Sequence, residues 1–83
     1  VHAGLDFSKS LKEQDINKIL WRRDSWQKYN STGKIVFYGH TPQKKANNIN
    51  NCINLDTGIS FNLKMSVAKI NARTEKIQII ETK

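Results

Sequence analysis

Ile35-Val36-Phe37-Tyr38 joins β-branched and aromatic residues without a polar interruption, which predicts a strand from Lys34 to Tyr38 buried on both faces. Gly39 then lets the backbone turn or approach a neighbour closely, and Pro42 stops any regular ladder. Upstream, Val1-His2 reads as the end of a strand, followed by a loop through Gly4, Asp6 and Ser8. Ile16, Ile19, Leu20, Arg23 and Trp26 recur at helical spacing and predict a helix over about 15–28, closed by Asn30-Ser31-Thr32-Gly33. Its start has two cap candidates, Ser10 in a Ser-x-x-Glu capping box and Asp15.

Thr41 to Asn51 is polar and rich in Asn, and reads as a loop before a short strand at Cys52 to Leu55. Phe61, Leu63, Met65 and Val67 alternate with Asn62, Lys64 and Ser66, the pattern of a half-buried antiparallel strand. Asn71 to Glu75 is a turn, and Ile77, Ile79 and Ile80 make the returning strand. The order β-α-β-β-β-β places the chain in the α+β class, with one main helix against mostly mixed or antiparallel strands.

A chain of 83 residues supports one small domain, spanning 1–83. It opens at Val1 within a hydrophobic strand, which suggests a segment whose amino-terminal part lies elsewhere. The net charge of +7 is carried mainly by Lys spread from Lys9 to Lys83, which gives little support to nucleic-acid binding. No stretch approaches the roughly 18 apolar residues of a membrane span. Cys52 stands alone, so no internal disulfide forms; it reads as a small buried hydrophobe in a reducing, cytoplasmic setting. Asn30-Ser31-Thr32 matches a glycosylation triplet that carries no meaning in such a compartment.

The chain has two histidines, His2 and His40, and each stands where a hydrophobic strand ends. Neutral imidazole is the commonest ligand for transition metals, so the pair is a candidate metal site. A lone His at a strand end is more often structural, and two nitrogens do not complete a site, since a catalytic zinc takes three protein ligands. Asp6 and Asp56 are the carboxylate candidates, although Asp56 in Leu55-Asp56-Thr57-Gly58 fits a turn better. Arg23 falls on the apolar helix stripe, where it is either a structural or snorkelling arginine, paired with Asp24 or Asp15, or a bidentate phosphate clamp. Arg22 points elsewhere and reads as a surface residue, while Trp21 and Trp26 read as core anchors.

Four segments together, Val1-His2-Ala3-Gly4-Leu5, Leu20-Trp21-Arg22-Arg23, Tyr38-Gly39-His40-Thr41-Pro42 and Asn54-Leu55-Asp56-Thr57-Gly58, give the chain a family likeness. In this order it resembles the carboxy-terminal part of the calcineurin-like metallophosphoesterases, in the branch of bacterial and phage serine/threonine protein phosphatases and symmetrical diadenosine tetraphosphatases. The resemblance implies a β-sandwich flanked by helices, with two divalent metal ions (manganese, iron or zinc) at the sheet edges. It implies that His2 and His40 are ligands of one ion, that Arg23 binds the substrate phosphate, and that Asp56, Thr57 and Gly58 form a supporting loop. Many wider relatives carry Gly-His-x-His; Pro42 stands at the second His position, in agreement with the phosphatase-like branch.

The activity implied is hydrolysis of a phosphorylated protein or a small phosphate ester by two-metal activation of water, with Arg23 offsetting charge on the phosphoryl oxygens. The family's Asp-x-His, Gly-Asp-x-x-Asp and Gly-Asn-His-Asp/Glu motifs do not occur in this sequence. The segment alone is therefore expected to be inactive and to bind metal weakly. The rival expectation is a binding or scaffold module that keeps a remnant of the fold without its chemistry.

Overall fold

A computed structural model describes residues 1–82 and shows an α+β chain with one short α-helix, three 3-10 turns and two small sheets. Strand β1 covers only Val36–Tyr38 of the expected 34–38 and is not buried on both faces: it lies at a sheet edge, with Tyr38 buried, Val36 and Phe37 half-buried and Ile35 exposed. Strand β2 covers Asn47–Ile49 and β3 covers Cys52–Asn54. The sheet order is β1-β3-β2, with β1 parallel and β2 antiparallel to the central β3. All three residues of β3 are buried, as a strand paired on both edges requires.

The segment 41–51, expected as a loop, contains β2 and the tight turn that returns it to β3. Asn50 and Asn51 both adopt positive φ, 50° and 63°, which suits a two-residue hairpin of the mirror-image turn type. Asn tolerates that conformation, so the Asn pair was the turn signal inside an otherwise polar stretch. The Asn50 side chain also donates to the Gln27, Lys28 and Asn30 carbonyls, tying the hairpin to the 3-10 turn Trp26–Tyr29.

The expected helix over 15–28 is much shorter. Helix α1 covers Ile16–Trp21, capped by the Asp15 side chain on the Asn17 N–H, and the backbone is already extended at Arg22. Arg22 is drawn out of the helical path by a 2.6 Å bond to Asp24 and a 3.0 Å bond to the Leu5 carbonyl. The Ser10 box closes only the single 3-10 turn Leu11–Glu13, through Ser10 Oγ donating to Glu13. Within α1 the stripe lies largely open to water, with Ile16 63% and Leu20 39% exposed, and Trp21 beside it is 67% exposed. Trp21 is therefore no core anchor.

Trp26 is, at 1% exposure. It meets Tyr38 edge-on with centroids 4.9 Å apart and Phe7 at 5.8 Å. Cys52 completes this cluster as a buried free thiol, and Leu5, Phe7 and Val36 pack on its margin. The first residues run beside β1 without forming a ladder strand: the Val1 ammonium donates to the Phe37 carbonyl and the Gly39 N–H to the His2 carbonyl.

Strands β4 (Ser66–Ile70) and β5 (Ile77–Glu81) form a separate antiparallel hairpin. The strand expected from Phe61 begins only at Ser66. Gly58 and Asn62 are left-handed and enclose the 3-10 turn Ile59–Phe61, which leaves Phe61 and Leu63 exposed. Polar contacts join the hairpin to the rest: Thr57 Oγ1 to Ser66 Oγ at 2.7 Å, and Lys64 to Glu81 at 3.0 Å. No helix among the described residues is long and apolar enough to cross a membrane.

At Gly4 the Trp26 ring leaves no room for a side chain; a Cβ there would come within 2.7 Å of Trp26 Nε1. Gly4→Ala should cost about 1–3 kcal/mol by overpacking. Chemical denaturation should show that penalty shrinking in a Trp26→Phe background, which removes the clashing ring edge. An equal penalty in both backgrounds would show that the contact is not its cause.

Candidate metal site

His2 and His40 lie 38 residues apart in sequence and face each other in space, with His2 Nε2 3.2 Å from His40 Nδ1. Two backbone features bring them together. The His2 carbonyl accepts the Gly39 N–H at 2.7 Å, fixing the first segment against the end of β1. His40 itself adopts φ 73°, a left-handed conformation uncommon for a residue with a side chain, which turns it back toward His2. Gly39 leaves little room for a side chain between them. A Cβ there would sit 3.3 Å from Asp56 Cβ and 3.8 Å from the His2 carbonyl oxygen.

The nitrogen spacing fits a shared ion. Two imidazole nitrogens each about 2.1 Å from one metal stand about 3.0–3.4 Å apart for angles between octahedral and tetrahedral. In the free protein the same spacing suits one proton shared between two neutral rings. His40 is held below the ordinary imidazole pKa by partial desolvation, then by the charges of Arg23 and His2, with Asp56 opposing them. That favours the neutral ring, the form that binds metal. The Trp21 ring stands edge-on to His40 at 5.5 Å and covers one side of the pair. Among the described residues no group of three or more His, Cys, Asp or Glu is placed to hold a metal, so the donor set here is the two imidazoles.

The structural role weighed for Arg23 falls to Arg22. Arg23 lies beyond the end of α1, not on its apolar stripe; it is exposed and makes no hydrogen bond or ion pair among the described residues. Arg22, expected as a surface residue, is the structural one, locked to Asp24 and the Leu5 carbonyl. Its hydrogen bond to Asp24 raises the arginine pKa and lowers that of the carboxylate. The helical period placed Arg23 on the apolar stripe, but the helix stops two residues before it.

Asp56 forms a turn. Its backbone N–H donates to Asn54 Oδ1, its carbonyl accepts from Gln43, and Oδ1 accepts the Gly58 N–H. Thr57 is buried and donates to the Lys64 carbonyl, and Gly58 takes φ 88°. Asp6 is spent on its own loop, accepting from the Ser8 N–H and hydroxyl, and Ser8 lowers its pKa. Two supports were missed. Buried Asn54 ties the Thr41 carbonyl beside His40 to the Asp56 turn, and Trp21 flanks His40. A polar Asn between Ile53 and Leu55 was the available signal for the first; nothing in the sequence signalled the second.

No family model and no solved structure matches the chain. Two curated proteins do. The asymmetrical bis(5'-nucleosyl)-tetraphosphatase PrpE of Anoxybacillus flavithermus is 45% identical over 40 residues, 48% of this chain and 16% of that protein. The enzyme of the same name from Bacillus cereus is 44% identical over 45 residues, 54% of this chain and 18% of that protein. The matched stretch thus spans under a fifth of either relative, and both are named asymmetrical where the sequence motifs suggested the symmetrical kind. The likeness is to a segment of phosphoesterase enzymes.

The depressed His40 pKa sets the sign of a pH effect. The unfolded chain takes up this proton first, near the ordinary 6.5. The stability associated with neutral His40 is therefore full above that value and is lost as pH falls through the lower folded midpoint. In metal-free buffer, NMR titration should place the His40 midpoint below 6.5. Arg23→Gln should raise it and Asp56→Asn lower it further. A midpoint at or above the ordinary value would contradict the described electrostatics.

Proposed function

We propose that the chain is the carboxy-terminal part of a calcineurin-like metallophosphoesterase, a hydrolase of phosphate esters. His2 and His40 hold one of two divalent ions, manganese, iron or zinc, and Arg23 binds the substrate phosphate. The observation that carries this reading is the 3.2 Å approach of His2 Nε2 to His40 Nδ1, across 38 residues, at the spacing of two ligands on one ion. The partial likeness to two tetraphosphatases supports the same chemistry, and their name favours a nucleotide phosphate ester over a phosphoprotein. The single unpaired Cys52 fits a cytoplasmic setting.

Such ions, when bound, supply Lewis acidity to phosphoryl oxygens and lower the pKa of water. The chain's own residues do the rest of the work that falls to this segment. The two imidazoles present their nitrogens from a backbone fixed by the Gly39 to His2 bond. Arg23, with no internal partner among the described residues, is available for two parallel hydrogen bonds to phosphate oxygens, a geometry Lys does not offer. The Asp56-Thr57-Gly58 turn buttresses Gly39 and holds the His40 segment in place. The remaining metal donors and the general acid come from outside these residues.

Titrated with Co²⁺, the chain should broaden the His2 and His40 imidazole resonances at the same molar ratio. His2→Ala or His40→Ala should weaken binding at least about tenfold. The chain alone should hydrolyse an aryl phosphate no faster than the metal blank. In a longer polypeptide joining it to the three acidic motifs, Arg23→Ala should slow hydrolysis about 100-fold. Unchanged metal binding in both His variants, or hydrolysis indifferent to Arg23, would overturn the proposal.

A further inference from the structure

The β1–β3 ladder ends two residues before His40, at the register pair Tyr38–Asn54, with one last bond from the Leu55 N–H to the Tyr38 carbonyl. Beyond it the chain at 39–43 leaves the sheet. His40 nevertheless sits there at φ 73°, a conformation that a residue with a Cβ keeps only where its surroundings fix it. On the near side, the Gly39 N–H is bonded to the His2 carbonyl. The far side needs an anchor of its own.

Two tethers supply it, and both lead to Asn54. Its Nδ2 donates to the Thr41 carbonyl at 2.8 Å, one residue beyond His40. Its Oδ1 accepts the Asp56 N–H, also at 2.8 Å, and the Asp56 carbonyl in turn accepts the Gln43 N–H at 2.9 Å. The other bond to the Thr41 carbonyl comes from the Gln43 side chain at 3.4 Å, within the same segment, so it ties that segment to nothing else. His2 and Trp21 meet the His40 ring, and a ring turns about its own side-chain bonds without fixing φ.

Place and chemistry both suit Asn54 to this work. It is 1% exposed and ends β3, the strand paired on both edges. One partner is a carbonyl and the other an N–H, so the amide has a single orientation in which both its groups are paired. An ionised carboxylate has no donor for Thr41, and a hydroxyl is too short to span both partners.

We propose that Asn54 is the positioning residue of the histidine pair: through the Thr41 carbonyl and the Asp56 turn it holds His40 left-handed and facing His2 before any ion arrives. This rests on the metal reading above and adds to it the group that sets the geometry of the metal-free site. Asn54 touches neither imidazole and acts through the backbone alone. Its contribution to metal affinity is the reorganisation that a free His40 segment would otherwise undergo on binding.

The test compares the metal-free 83-residue chain with its variants by NMR, then titrates each with Co²⁺. In the parent chain, His40 should give the strong intraresidue HN–Hα NOE of a left-handed residue, and NOEs should connect its ring to that of His2. Asn54→Leu, similar in volume but without donor or acceptor, should lose both signatures and bind Co²⁺ at least about tenfold more weakly. If that variant fails to fold, Asn54→Ser, too short to reach both partners, should show the same losses. Cys52→Ala opens a cavity on the same strand; it should lower the melting temperature yet leave both signatures and the affinity unchanged, which separates positioning from general stability. His2→Ala should weaken Co²⁺ binding and leave the His40 backbone left-handed, because Asn54 sets it. Unchanged signatures in a folded Asn54 variant, equal losses in Cys52→Ala, or release of His40 in His2→Ala would overturn the proposal. Weaker Co²⁺ binding in the His variants but not in the Asn54 variants would defeat this inference alone. NOEs that respond as expected in a chain that binds no Co²⁺ would defeat the metal reading alone.

Discussion

The burial of Trp26 is the contact on which the other elements depend. Its ring touches the opening segment through Gly4 and Phe7, and β1 through Tyr38. Burying one such aromatic is worth several kcal/mol, on the order of the whole stability of a domain this small. Helix α1 adds little, because it has six residues and an exposed apolar stripe. Without Trp26, His2 would be held to β1 by the hydrogen bonds of Val1 and Gly39 and little else. The site is thus a consequence of packing on the far side of the strand that presents it.

How much of this was legible in the sequence depends on which force sets each element. The strands at 36–38 and 52–54 were readable in position, but burial on both faces belongs to the central β3 and not to β1, which lies at the sheet edge with Val36 and Phe37 half-buried. The hairpin β4–β5 was readable in its second strand and turn; its first strand began late because left-handed Gly58 and Asn62 override the alternation around Phe61. Helix length failed for a tertiary reason. Arg22 gains a carboxylate and a carbonyl by leaving the helix, and no periodicity of apolar residues registers that exchange. The turn Asn50-Asn51 carried its own signal and required only that two adjacent asparagines be read as left-handed.

The site divides in the same way. Strand ends located His2 and His40, and the fold brings them within hydrogen-bonding distance. Arg23 was singled out for a position on a helix that does not extend to it, yet its charge still acts on His40.

Gly39 has a consequence of a different kind. Its N–H is bonded to the His2 carbonyl at 2.7 Å, and on its other side a Cβ would stand 3.3 Å from Asp56 Cβ. Substitutions in the opening segment and in the 56–58 turn are therefore not independent, although 54 residues separate His2 from Asp56 in sequence. Their free energies should fail to add, with the difference carried through a residue that has no side chain.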